Sequence, residues 1–270
     1  MKRQLIFWFL AIVVTLITAY YQRTTGPTYA LKGKTELSGR VIPCILERSH
    51  GGQDDHLVLI SVPDSTIRGK VTYRRYQSDE PFQSVEMTHE DGKLMARLPH
   101  QPPAGQLEYY LTLDDGQNSV VVPADRTVVM RFKGDVPNAV LIPHILLIFV
   151  SMLLSTRAGL EALSKSGRTK SLVLWTTLTL LAGGLILGPL VQKYAFGSYW
   201  TGVPFGWDLT DNKTLIAFCG WVAVMIRQRR NPNPRYWVLA AALIMLVVFL
   251  IPHSVMGSRL DYATGQVTTE

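Results

Sequence analysis

Two of the six histidines follow a proline beside an apolar run. His144 stands near the start of the run Ala139–Ser155, and His253 stands just beyond the end of the run Trp237–Ile251. The other four histidines lie among polar neighbours, as solvated surface histidines do. Two neutral imidazoles can supply both axial ligands of a haem iron. His144 and His253 are therefore candidate cofactor ligands, provided that the fold places them at the same depth.

An aromatic segment, residues 194–211, separates the two histidines in sequence. Its candidate cofactor-binding residues are Tyr199, Trp200, Trp207 and Asp208. Its three glycines and one proline favour a shaped loop over the end of a helix. Aromatic side chains of this kind could bury a flat apolar macrocycle. Three cations near the segment could bind the propionates of that macrocycle: Lys193, Lys213 and Arg259.

Two other interpretations of the same residues remain open. In the first, the histidines cap or anchor helix ends, while Trp and Tyr side chains form the aromatic belt that membrane proteins place at headgroup level. In the second, His144 and His253 hold a metal ion together with Asp208 or Asp211. Imidazole and carboxylate ligands suit several transition metals.

Five apolar runs provide the elements that would position these residues. They are Leu5–Tyr21, Ala139–Ser155, Leu172–Val191, Leu215–Ile226 and Trp237–Ile251. The third run is long enough to span a bilayer unaided, at about 20 residues, whereas the fourth spans only if residues 208–214 extend it. The first run lacks a convincing cleavage site, so we expect residues 1–21 to form an uncleaved membrane anchor.

The distribution of charge predicts how these runs are oriented. Residues 22–137 hold 14 Lys/Arg and 15 Asp/Glu, whereas the rest of the chain holds 13 and 5. Basic residues beside apolar runs mark the cytoplasmic side of a membrane protein. The basic residues in such positions are Lys2, Arg3, Arg157, Lys165, Arg168, Lys170, Arg227, Arg229, Arg230 and Arg235. We therefore expect a bacterial inner-membrane protein with a cytoplasmic N-terminus, and with residues 22–137, the loop 193–213 and the tail 257–270 outside. The net charge of +7 then reflects topology and not nucleic-acid binding.

Residues 30–135 predict an extracytoplasmic all-β domain. Runs rich in β-branched and aromatic residues alternate with hairpin signals: Val71–Tyr76, Asp91-Gly92, Leu107–Leu113, Asp115-Gly116 and Val128–Phe132. About 100 residues with seven or eight short strands favour an immunoglobulin-like sandwich. The predicted fold class is thus an all-α transmembrane bundle of about five spans, four of them within residues 138–256, with this all-β sandwich inserted.

Residues 140–255 resemble the tryptophan-rich "WWD" segment of the haem-handling membrane proteins of cytochrome c maturation. The matching pieces are Leu187-Gly188-Pro189-Leu190, Phe196-Gly197-Ser198-Tyr199-Trp200 and Trp207-Asp208, flanked by His144 and His253. The resemblance implies that the two histidines ligate haem beside an outward-facing aromatic loop. The chain departs from the family in an insertion, Gly202–Gly206, and in Phe196, where a Trp is more usual. Its four spans also contain no further histidines, which the haem-exporting members use.

The leading expectation is therefore noncovalent haem binding at the outer face of a membrane, in electron transfer or cytochrome c maturation. The alternative is a non-catalytic accessory subunit that uses its sandwich to hold a periplasmic partner, such as a cytochrome, near a membrane complex. The sequence contains no Cys-x-x-Cys-His, His-Glu-x-x-His, Gly-x4-Gly-Lys-Ser/Thr or Gly-x-Ser-x-Gly motif. Covalent haem attachment, zinc-dependent hydrolysis and ATP-driven work consequently have no support.

Overall fold

The computed structural model describes residues 2–164, 169–253 and 255–269, which form two compact units. The first, called the helical unit, comprises residues 1–27, 136–258 and 268–270. The second, called the β unit, comprises residues 28–135 and 259–267. Residues 165–168, which include the predicted cytoplasmic residues Lys165 and Arg168, lie outside the described residues.

The helical unit contains six α-helices and one π-helical segment among the described residues. They are α1 (Lys2–Thr25), α2 (Asn138–Leu163), α3 (Lys170–Leu180), the π-helical segment Leu181–Leu187, α4 (Gly188–Phe196), α5 (Leu209–Arg230) and α6 (Arg235–Leu250). By length and composition, four helices could cross a membrane: α1, α2, the continuous helix from α3 to α4, and α5. The predicted fifth span forms α6, which is apolar but only 16 residues long.

Helix α5 begins well before the apolar run that predicted it. Asp208 caps its N-terminus, because the carboxylate accepts hydrogen bonds from the backbone N–H groups of Thr210 (2.8 Å) and Asp211 (3.4 Å). The cap adds residues 209–214 to the helix, which is the extension that the short run 215–226 required. The predicted fourth apolar run is therefore part of a helix of 22 residues.

A buried ion pair within α2 is in contact with α1. The side chains of Arg157 and Glu161 are 3% and 1% exposed, and the guanidinium lies 2.5 Å from the carboxylate. Gln4 accepts a hydrogen bond from the same guanidinium, which also lies over the ring of Phe7 at 5.2 Å. Arg157 was expected to mark a cytoplasmic loop, but it lies inside α2, where its charge is balanced within the protein. Helix α1 thus packs as a member of the helical unit.

The β unit is built from many short strands. They are β1 (Leu31–Leu37), β2 (Arg40–Leu46), β3 (Ser49–Gly51), β4 (His56–Ser61), β5 (Arg68–Arg75), β6 (Gln83–Glu86), β7 (Thr88–Glu90), β8 (Lys93–Leu98), β9 (Gln106–Asp114), β10 (Ser119–Val122) and β11 (Val128–Lys133), with β12 (Arg259–Leu260) and β13 (Val267–Thr268) in the tail. One sheet has the order β3-β11-β9-β5-β6, with β10 on β9. A second has the order β4-β8-β7, and β1-β2 and β12-β13 form two-stranded sheets.

The three predicted runs of the β unit coincide with β5, β9 and β11. The two hairpin signals are also confirmed, since Asp91-Gly92 joins β7 to β8, and Gly116 turns between β9 and β10 with φ of 90°. Residues 31–133 contain eleven strands and not seven or eight, because several strands have only three or four residues. The tail is not separate either: Leu260 N–H donates to the carbonyl of Ala104 at 2.9 Å, so residues 259–267 belong to the β unit.

Candidate functional site

His144 is held by a hydrogen bond to the π-helical segment. Its Nδ1 lies 2.8 Å from the carbonyl oxygen of Gly183, which also accepts the N–H of Gly188. A carbonyl can only accept, so Nδ1 must carry the proton, and the lone pair of the neutral ring is then on Nε2. A backbone carbonyl in this role fixes both tautomer and orientation of metal-binding histidines. His144 therefore has the protonation state and the support that an axial ligand requires.

Gly183 can approach α2 this closely because it has no side chain. A Cβ there would lie 2.8 Å from the Cβ of Leu147 and 3.2 Å from the backbone nitrogen of Ile148. At the neighbouring Gly184, a Cβ would lie 2.7 Å from the methyl group of Thr214. These two glycines thus pack helices together, and the packing at Gly183 brings its carbonyl to His144.

The second predicted ligand, His253, lies just beyond the end of α6, and the charges of Lys213 and His144 both act on its ring. Although His253 keeps an exposed surface, the protein packed around it and these two positive groups lower its pKa. Its imidazole is therefore neutral at pH 7, which is the form that binds metal.

The aromatic side chains of the predicted loop are mostly on the surface. Tyr199 and Trp207 are 55% and 71% exposed, and Phe205 is more exposed still. Trp200 is half-buried, and its indole N–H donates to the carbonyl of Val203 at 3.1 Å, which fixes the turn of the loop. The exposed rings of this loop offer apolar surface either to a ligand or to lipid headgroups. Their exposure therefore fits both the haem interpretation and the aromatic-belt interpretation.

A buried polar cluster, which the sequence analysis did not identify, holds the base of this loop. Its members are Gln192, Thr201, Asp208, Asp211 and Ser258, all less than 9% exposed. Asp211 accepts the backbone N–H groups of Thr201 (2.7 Å) and Gly202 (3.0 Å). Asp208 accepts the backbone N–H and the hydroxyl of Ser258 at 3.0 and 2.8 Å. The cluster ties the loop to the start of α5 and to the segment that follows His253.

The carboxylate of Asp208 is bound within this cluster. Asp208 is a predicted cofactor-binding residue, and its carboxylate accepts hydrogen bonds from backbone amides and from the Ser258 hydroxyl. Its charge therefore stabilises the loop. The Nδ1 of His144 is bound to Gly183 and not to this carboxylate.

The three cations expected near the propionates of a macrocycle differ in their surroundings. Lys213 is only 4% exposed, and its ammonium donates to the carbonyls of Ile251 (2.6 Å) and Pro252 (3.5 Å), so it is already bound by backbone. Lys193 is exposed, and it donates to the carbonyl of Gly197 at 2.8 Å. Arg259 belongs to the β unit. Within the helical unit, Lys193 is thus the cation best placed to meet an anionic group from solvent.

A metal site of three or more protein ligands has no support in this geometry. In residues 2–164, 169–253 and 255–269, no group of three or more His, Cys, Asp or Glu side chains is arranged to hold a metal ion. The carboxylate of Asp211 accepts the backbone N–H of Thr201, and that of Asp208 accepts the backbone N–H of Thr210. The interpretation with His144, His253 and one of these aspartates is therefore not supported, whereas a two-histidine set remains.

Comparison with known proteins assigns no family. No protein-family model matches this chain, and no curated protein is similar to it.

Proposed function

We propose that this protein binds haem noncovalently through His144 and His253, with Tyr199, Trp200 and Trp207 covering the macrocycle. The observation that carries the proposal is the hydrogen bond from His144 Nδ1–H to the carbonyl of Gly183. It leaves Nε2 of His144 as the atom that can bind iron, and the charge of His144 acts on the ring of His253. When bound, haem supplies one-electron transfer. The role that fits is electron transfer or cytochrome c maturation.

The absorption spectrum of the purified protein tests this proposal. We expect a Soret band and a low-spin visible spectrum, since two histidine ligands favour the low-spin state. His144→Ala and His253→Ala should each lower the haem content and shift the spectrum from the low-spin form. His89→Ala is the matched control, because its ring is bound to the carbonyl of Val62 in the β unit. Equal haem content in all three variants would contradict the proposal.

The membrane arrangement is part of the same proposal. We infer a bacterial inner-membrane protein of five spans, with a cytoplasmic N-terminus and with an immunoglobulin-like sandwich, the loop 193–213 and the C-terminus outside. Four long apolar helices support the membrane location. The basic residues in the last turn of α5 and at the start of α6 support the direction, because positive charge accumulates on the cytoplasmic side.

Cysteine labelling with an impermeant reagent tests this topology. In a variant without Cys44 and Cys219, single cysteines at Asn118 and Val203 should react in spheroplasts. A cysteine at the exposed Asn231, between α5 and α6, should react only after the membrane is opened. Reaction at 231 combined with protection at 203 would reverse the arrangement.

One observation favours the alternative function, an accessory subunit that holds a partner through the β unit. Four apolar side chains on β2 and β4 are exposed: Val41, Ile45, Leu57 and Leu59. Exposed apolar groups of this kind occur at protein-binding surfaces. A colourless preparation would support this function if it migrates with a membrane cytochrome and loses that partner on Ile45→Ser. A colourless preparation whose association is unaffected by Ile45→Ser would exclude both functions in this form.

A further inference from the structure

We propose that Lys213 is a positioning residue, which fixes the backbone that carries His253. This inference rests on the proposed function, since it concerns the second haem ligand. Lys213 lies in the second turn of α5 and is 4% exposed. Its ammonium donates to the carbonyl of Ile251 at 2.6 Å and reaches that of Pro252 at 3.5 Å. These are the two residues that immediately precede His253.

The end of α6 explains why a cation is needed there. The last carbonyls of a helix have no partner within the helix, and the C-terminal end of the helix carries partial negative charge. Helix α6 ends at Leu250, so the carbonyls of Ile251 and Pro252 require donors from elsewhere. An ammonium group can donate hydrogen bonds to these carbonyls, and its positive charge balances the partial negative charge at the end of α6.

A second donor reaches the same carbonyl from α1. The side-chain amide of Gln22 donates to Ile251 O at 3.1 Å. At Gly26, a Cβ would be in ordinary contact, 3.7 Å, with the ring of Pro252. Helices α1, α5 and α6 therefore meet at the residues before His253, and Lys213 supplies the charged contact among them.

The residues after His253 are tied to the same end of α5. Asp208 accepts the backbone N–H and the hydroxyl of Ser258, and the Ser258 hydroxyl lies 2.7 Å from that of Thr201. The backbone is thus held before His253 by Lys213 and after it by Asp208. These two residues lie within five positions of each other, so α5 fixes both sides of the histidine as one rigid support.

This arrangement changes the role expected of Lys213. A lysine that met a haem propionate would have to present its ammonium to the ligand. The ammonium of Lys213 is instead buried on two backbone carbonyls. Its removal should therefore displace His253 while His144, which is held by Gly183, stays in place.

The test compares haem spectra of the full-length protein and three variants. Lys213→Met removes the charge at similar length, and it should lower the haem affinity at least tenfold and convert the spectrum to that of a single histidine ligand. Added imidazole should restore the low-spin spectrum, because it can occupy the position that His253 leaves. Lys213→Arg keeps donors at this place and should remain largely low-spin. Lys170→Met, at an exposed lysine at the start of α3, is the matched control and should resemble the wild type.

Each outcome separates this inference from the proposed function. A wild-type protein without a Soret band removes both. If the wild type is low-spin and Lys213→Met has the same spectrum, the positioning role of Lys213 is refuted and the proposed function is not. The same conclusion follows if Lys213→Met is high-spin and imidazole fails to restore the low-spin spectrum. If Lys213→Met does not give folded protein, Gln22→Leu removes the second donor to Ile251 and should shift the spectrum in the same direction to a smaller extent. An unshifted Gln22→Leu spectrum would then refute the inference.

Discussion

Trp207→Ala distinguishes a ligand-binding loop from a lipid-facing one. The side chain of Trp207 is 71% exposed, and the backbone N–H of this residue donates to the Thr269 hydroxyl at 2.9 Å. Truncation of an exposed ring changes stability by about 0.5 kcal/mol or less. If the ring packs against haem, its loss should cost at least about 3 kcal/mol, as for aromatic side chains in packed interiors. That loss corresponds to more than a 100-fold increase in Kd.

The assay is a haem titration followed at the Soret band, with thermal unfolding measured on the same samples. Trp237→Ala is the matched control, because Trp237 is a 51% exposed tryptophan near the start of α6, the opposite end of that helix from Ile251. The belt interpretation predicts equally small effects of the two substitutions. A less than threefold change of Kd in Trp207→Ala, with unfolding unchanged, would refute the assignment of Trp207 to the ligand.

Three further predictions concern the support of the site and the two units. Gly183→Ala should reduce the fraction of protein with low-spin haem, because the new methyl group forces α2 away. Gly188→Ala should leave this fraction unchanged, because a Cβ there makes only contacts of 3.6 Å or more. Arg157→Ala should destabilise the protein in detergent by about 3–5 kcal/mol, since it leaves Glu161 charged and buried, and substitution of both residues by Leu should recover most of this. Burial, and then the charge of His50, lower the pKa of His56 to about 4. The folded protein therefore binds a proton at His56 less well than the unfolded chain does, so the free energy of unfolding should fall as the pH drops below about 6.5, by about 2 kcal/mol at pH 5. Hydrogen exchange in β4 should detect this loss in the wild type but not in His56→Gln.

Hydropathy and alternation predicted the elements because both are local properties of the chain. The apolar runs correspond to helices, and the strand runs correspond to β5, β9 and β11. The π-helical segment Leu181–Leu187 was not predicted, since its sequence is as apolar as an α-helix. It forms where Gly183 lets α2 approach, which is a tertiary contact with Leu147 and Ile148, 36 and 35 positions away in sequence.

Two signals in the sequence were nevertheless available and were interpreted differently. Arg157 and Glu161 are four positions apart, the spacing of an ion pair on one helix face, yet Arg157 was counted as a loop charge. Asp208, Asp211 and Lys213 interrupt the start of a membrane-like helix, and ionisable residues there are costly and commonly functional. Asp208 binds Ser258, 50 positions away, and Lys213 binds Ile251, 38 positions away, so only the fold could identify these partners.

The two histidines are supported by different means, and this difference determines what each can contribute. His144 lies within α2, and its ring is fixed directly by the carbonyl of Gly183. His253 lies beyond a helix end, and its placement depends on backbone contacts made by Lys213 and Asp208. In the proposed haem site, His144 would therefore be the ligand whose ring is held directly, whereas loss of a contact to Lys213 or Asp208 would displace His253 without disturbing α2. In variants of these two residues, small ligands such as imidazole should then bind in place of His253 and not in place of His144.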